Sequence, residues 1–137
     1  MGSPMNNALL KKVDCIRLQV PDLDEALVFY HDQLGLGLVW RTEEAVGLSM
    51  PDTDAEIVLH RERQGIEVDF LVVSADEAAQ AIERAGGRVL VSPFDIQIGR
   101  CVVVQDPWGN ELVLLDMSKG SLRTDAAGNI LGNNTPV

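Results

Sequence analysis

The chain has 137 residues and a formal net charge of −10, with 21 Asp+Glu against 11 Lys+Arg. That length suits one compact domain rather than two. The acidic balance excludes a general phosphate-binding surface, because nucleic-acid binding rests on Lys and Arg neutralising backbone charge. No apolar run approaches the ~20 residues of a membrane span, and the first residues lack a basic-then-apolar leader pattern, so a cytoplasmic protein without a membrane partner is expected. Two cysteines, Cys15 and Cys101, are too few for the disulfide framework of a small secreted domain. Met1-Gly2-Ser3-Pro4-Met5 reads as an expression scar (residues 1–5) ahead of a domain expected over 6–116.

Residues 13–20 alternate. Ile16, Leu18 and Val20 face one way, and Cys15, Arg17 and Gln19 the other, as in a half-buried strand. Asp22 then offers a helix cap with Glu25 three residues on, and Leu23, Ala26, Leu27, Tyr30 and Leu34 recur at helical spacing up to Gly35. Short apolar stretches at 36–40, 45–50 and 56–60 predict three more strands.

The pattern then restarts. Residues 67–72 alternate, Ser74 caps with Glu77 three later, and Ala75, Ala78, Ala79 and Ile82 keep the helical spacing before Gly86-Gly87. A shift of 52 carries Asp22, Leu23, Glu25, Ala26, Leu27, Tyr30 and Gly35 onto Ser74, Ala75, Glu77, Ala78, Ala79, Ile82 and Gly87. Strands near 88–91, 100–105 and 111–115 complete the second copy. Two βαβββ units, about 13–62 and 66–116, therefore organise the chain, and an internal repeat governs the expected fold. The expectation is an α+β domain in which the two units form one curved mixed sheet around a cleft. Residues 117–137 are turn-rich, with Ile130 and Leu131 as their only anchors, and read as an extension wrapping the domain or a partner subunit, or as a loose tail.

The paired units resemble the vicinal oxygen chelate superfamily, which includes glyoxalase I, bleomycin-resistance proteins and extradiol dioxygenases. The resemblance rests on Ile16 through Ala26, Phe29-Tyr30, Leu34-Gly35-Leu36 and the turn Asp106-Pro107-Trp108-Gly109-Asn110. It implies a glyoxalase-type fold, a small-molecule ligand and a homodimer. It also implies four metal-ligand positions on the first and fourth strands of each unit. These fall on Cys15, Val58, Glu67 and Val113, and valine cannot coordinate an ion. No cofactor is therefore expected. A divalent metal remains open only through a displaced set, Cys15, His60 and Glu67, with Cys15 as a buried apolar residue being the plainer reading.

Cys15, Arg17, Gln19, His60, Glu67, Asp69 and Val113 are expected to line one concavity. Arg17 is the candidate anchor for an anionic or carbonyl-bearing ligand, with an internal Arg17–Glu67 or Arg17–Asp69 ion pair as the alternative. The function read from this set is binding of a small polar molecule without the usual metal chelation. The alternatives are a lyase, isomerase or dioxygenase using a displaced metal or acid–base chemistry from His60 and Glu67, and a structural subunit with a vestigial cleft. His31 reads as a solvated helix residue, Trp40 and Trp108 as packing or ligand-wall candidates, and Cys101 as core.

Overall fold

A computed structural model describes residues 7–62 and 65–136. The expression-scar reading of 1–5 lies outside the described residues.

The first unit runs β1 (Lys12–Gln19), α1 (Leu23–Leu27), β2 (Gly37–Arg41), β3 (Ala45–Met50) and β4 (Thr53–His60). The second runs β5 (Ile66–Leu71), α2 (Ala75–Arg84), β6 (Arg88–Ile96), β7 (Gly99–Gln105) and β8 (Glu111–Leu115). All eight strands join one mixed sheet in the order β2-β3-β4-β1-β5-β8-β7-β6. Both helix caps form as the sequence suggests: Asp22 Oδ1 accepts from Glu25 N at 3.0 Å, and Ser74 Oγ from Glu77 N at 3.2 Å.

The register makes the repeat physical. β1 and β5 meet antiparallel at the centre, pairing Cys15 with Asp69 and Arg17 with Glu67. A 52-residue shift carries the first pair onto the second, as a two-fold axis between the strands requires. In each unit the first strand pairs parallel with the fourth, setting Arg17 beside Val58 and Asp69 beside Val113. Each half has its own apolar layer under a helix: Ala26, Val46, Leu48 and Leu59 in the first, Ala75, Ala78, Val102, Val104 and Leu114 in the second. The opposite face carries Cys15, Ala45 and Val58, then Cys101, Val103, Val113 and Leu115. Cys101 is thus core, on the concave side.

The first helix departs from the expected even spacing. After Leu27 it widens into a π-helical stretch, Val28–Gln33, and Leu34 N donates to Phe29 O, five residues back. The extra residue per turn rotates Leu34 out of the apolar stripe, leaving it 57% exposed. His31 is not simply solvated. Its Nδ1 bonds Leu36 O at 2.5 Å and ties down the helix exit.

The extension folds as a hairpin, β9 (Leu122–Thr124) and β10 (Ile130–Asn133), across a turn that repeats the chemistry of residues 106–110. Asp106 Oδ1 accepts from the amides of Trp108 and Asn110, and Asp125 Oδ1 from those of Ala127 and Asn129. Gly109 and Gly128 supply the positive φ that each turn needs. The Gly128 carbonyl accepts from Arg41 N at 2.8 Å on edge strand β2, while Asn133 Nδ2 donates to Gln97 O at 2.9 Å beside edge strand β6. Eight strands at ~4.8 Å spacing would place those edges about 34 Å apart on a flat sheet. The chain from Gly128 to Asn133 reaches at most ~18 Å. The sheet is therefore rolled, and the hairpin straps its open side.

Candidate functional site

Alternation along the two central strands puts Cys15, Arg17 and Gln19 of β1, with Glu67 and Asp69 of β5, on the concave face. The neighbouring strands add Glu56, Val58 and His60 from β4, and Glu111 and Val113 from β8. All seven residues singled out in the sequence share this face.

A bulge adds an eighth group. Val13 pairs with Phe70 and Cys15 with Asp69, so Asp14 is an extra residue with no counterpart on β5. Its carboxyl interacts with the Cys15 thiol and with Glu56. Alternation alone assigns Asp14 to the other side, which is why the sequence does not reveal it. Glu56, also unmarked by any motif, accepts from Trp40 Nε1 at 2.8 Å. Trp40 thus packs over the floor of the first half, whereas Trp108 is 84% exposed and walls nothing.

The electrostatics are one-sided. Arg17 Nε lies 3.6 Å from Glu67 Oε2, so the internal ion pair weighed against an anion anchor is the arrangement formed. Cys15 Sγ donates to Asp69 Oδ2 at 3.5 Å. Burial, and then the neighbouring Glu67 carboxyl, push Asp69 up to about 8; Arg17 and the thiol offset part of that. Burial also raises Asp14 and Glu56, with Lys12 and the Trp40 N–H respectively opposing it. Cys15 is pushed up by burial and by the charges of Asp69 and Asp14, so its thiol keeps its proton. His60 is 3% exposed, and its Nδ1 accepts from Glu62 N at 3.1 Å.

The raised Asp69 predicts a pH effect. Its folded pKa lies above the unfolded one, so the unfolded chain is favoured as pH rises from about 4 through 8. Asp69→Asn keeps the acceptor for Cys15 without the charge. It is expected to be about 1–3 kcal/mol more stable than the parent at pH 8, the gap closing near pH 4. Urea titrations at both pH values check this, and equal stability at pH 8 would refute it.

The two halves differ where it matters for a ligand. In the first unit, β1 and β4 stay paired from Cys15–Glu56 to Gln19–His60. In the second, β5 and β8 pair only from Asp69–Val113 to Leu71–Leu115, and part above that point. Glu67 and Glu111 both line the opening. The resulting groove has a volume of about 440 Å³ and is lined by His60, Glu67, Glu111 and Val113 from the concave side and by Ile66, Val68, Phe70 and Leu112 from the helix-facing side.

The donors do not fit the metal centre that the family resemblance implies. Val58 and Val113 are 2% and 7% exposed, so hydrocarbon occupies two of the four ligand positions, and the Cys15 thiol is held protonated. The displaced set fails as well. Gln19, not Cys15, sits beside His60, which puts Cys15 and His60 four residues apart along β1, about 13 Å. Among the described residues, no three His, Cys, Asp or Glu side chains gather in a metal-holding group.

Comparison with known proteins agrees with this architecture. Residues 12–114 match the model of the family described as the Glyoxalase/Bleomycin resistance protein/Dioxygenase superfamily. No curated protein matches the sequence. Among solved structures, methylmalonyl-CoA epimerase from Mycobacterium tuberculosis superposes with a TM-score of 0.69 at 20% identity, covering 85% of this chain and 91% of that one. Homoprotocatechuate 2,3-dioxygenase from Brevibacterium fuscum gives 0.60 at 23% identity, covering 77% of this chain and 36% of that one. At these identities the likeness is one of fold.

Proposed function

The chain belongs to the Glyoxalase/Bleomycin resistance protein/Dioxygenase superfamily, and we propose that it holds a small polar molecule in the groove between β5 and β8 without chelating it to a metal ion. The observation that carries this reading is the parting of β5 from β8, which opens one half of an otherwise two-fold sheet. The volume falls within the ~300–1,000 Å³ of small-molecule sites. Its walls combine apolar surface with a few convergent polar groups, the composition that orients a ligand.

A thermal-shift and NMR screen of small acids, amines, amides and polyols against the intact chain tests the reading. At least one compound should bind saturably and move the resonances of His60, Glu67 and Val113. Glu111→Trp, which fills the mouth from an exposed position, should weaken that binding about tenfold or more. The reading fails if nothing in the screen binds, or if the bound compound ignores the tryptophan.

One observation favours a second reading. His60 and Glu67 line the same groove, so a bound molecule lies near both an imidazole and a carboxylate. A lyase, isomerase or epimerase would use them as acid and base. Turnover lost in Glu67→Gln with substrate binding retained would distinguish such an enzyme from a binding protein.

A further inference from the structure

We propose that the β5–β8 groove binds its ligand through a neutral amide group, which accepts from the Val68 N–H and donates to the Glu111 carbonyl. This rests on the groove being a ligand site and names the chemistry it selects.

The ladder fixes where those two backbone groups point. Successive residues of a strand turn their N–H and C=O alternately to its two neighbours. At the end of β5, Leu71 O accepts from Lys11 N on the β1 side, while Val72 N donates to Leu115 O on the β8 side. The even-numbered residues of β5 therefore turn to β8, Val68 among them. At the two ends of β8, Asp116 N donates to Arg100 O and Asn110 O accepts from Asp106 N, both on the β7 side. Glu111, between them in phase, turns to β5.

The bridge at Asp69–Val113 uses the Val68 carbonyl and ends the β5–β8 ladder. The next step of a parallel ladder would run from Val68 N to Glu111 O, and there the strands have parted. In the first unit the same step is closed. Its β1 and β4 stay paired through Ile16–Ile57 and Cys15–Glu56, the counterparts of Val68–Leu112 and Glu67–Glu111, so the Ile16 N–H has the Glu56 carbonyl. At Val68 and Glu111 neither group finds another partner among the described residues. Both residues line the groove.

A donor and an acceptor freed from one ladder step call for a group that carries one of each. An amide does so at fixed positions in one plane, as the peptide group of a strand does. A carboxylate offers acceptors alone and meets the carboxyls of Glu67 and Glu111, while an ammonium leaves the Val68 N–H unmet. The helix-facing wall of Ile66, Phe70 and Leu112 takes the hydrocarbon end of the same molecule.

Hydrogen exchange and NMR titration of the intact chain at neutral pH test the inference without a variant. In the free chain the Val68 amide should exchange about tenfold or more faster than those of Phe70 and Val72, which the ladder holds. Saturating benzamide should slow it about tenfold or more. Benzamide should also bind the groove about tenfold or more tighter than N,N-dimethylbenzamide, which keeps the acceptor and loses the donor, and tighter than benzyl alcohol, benzoate or benzylammonium. If any of these four binds the groove as tightly as benzamide, or benzamide binds there without protecting Val68, the inference is overturned and the groove stands as a ligand site. A Val68 amide already as slow as that of Phe70 overturns it too. So does benzamide bound elsewhere or not at all, and the wider screen described above then decides the role of the groove by itself.

Discussion

Asp116→Ala is expected to destabilise the fold by about 3–5 kcal/mol, seen as a lower urea midpoint with an unchanged slope. Asp116 follows β8 directly and is 3% exposed. Its Oδ2 accepts from Ala75 N at 2.8 Å, and its Oδ1 from Arg100 N, Ser118 N and Ser118 Oγ at 2.9, 3.1 and 2.7 Å. One carboxylate thereby pins the first turn of α2, the start of β7 and the root of the strap. The alanine variant leaves the buried Ala75 amide without an acceptor, at a cost of about 1–3 kcal/mol, strips the part-buried Arg100 and Ser118 amides of theirs, and removes a negative charge from a helix N-terminus. Burial alone would raise the Asp116 pKa, but the donors outweigh it and hold it below the usual carboxylate range. A depressed folded pKa means that the contribution is present above the unfolded pKa, near 4, and is lost as pH falls below it. The variant and parent should therefore differ less in acid than at neutral pH. A loss under about 1 kcal/mol at pH 7 would show that water or relaxation replaces these bonds.

Asp116 also marks where sequence reading stops. The 52-residue repeat was legible because caps, helix stripe and strand alternation are local, and each recurs in both units. The central register is compatible with it but not dictated by it: the two-fold axis makes Cys15–Asp69 equivalent to Glu67–Arg17, while which residues meet is set by the packing of the two strands. From alternation on those strands came the concave set from Cys15 to Val113. What stayed hidden depends on partners distant in sequence. Asp116 reaches an amide 41 residues away. Asp14 joins the site through a bulge that exists only against β5. The parting of β5 and β8 is a property of two strands together. The turn at 125–129 was readable, yet its attachment to Arg41 was not, because an edge strand announces no particular partner. Arg17 shows the same limit: its position was legible, but the choice between an anion and Glu67 was made by side-chain geometry.

Restoring the missing donors is expected to create a metal site. Cys15, Val58, Glu67 and Val113 lie on one concave face, the first and third on the paired central strands, the second beside Arg17 and the fourth beside Asp69. Cys15→His, Val58→Glu and Val113→Glu together with the existing Glu67 would supply four nitrogen and oxygen donors, enough for a Zn, Ni or Mn ion with room for further ligands. The triple variant should bind one such ion per chain about a hundredfold or more tighter than the parent, by calorimetry and elemental analysis. Two new carboxylates in the place of buried valines are costly when uncompensated. The metal-free variant should accordingly melt below the parent and recover on adding the ion, a response the parent lacks. Arg17 opposes the ion, because its guanidinium already occupies Glu67. Adding Arg17→Gln should tighten binding further, the opposite of what a structural role for Arg17 in a formed metal site would give. A folded triple variant with no gain in metal affinity would show that the four positions do not converge on one point, and that more than two valines separates this cleft from a chelating one.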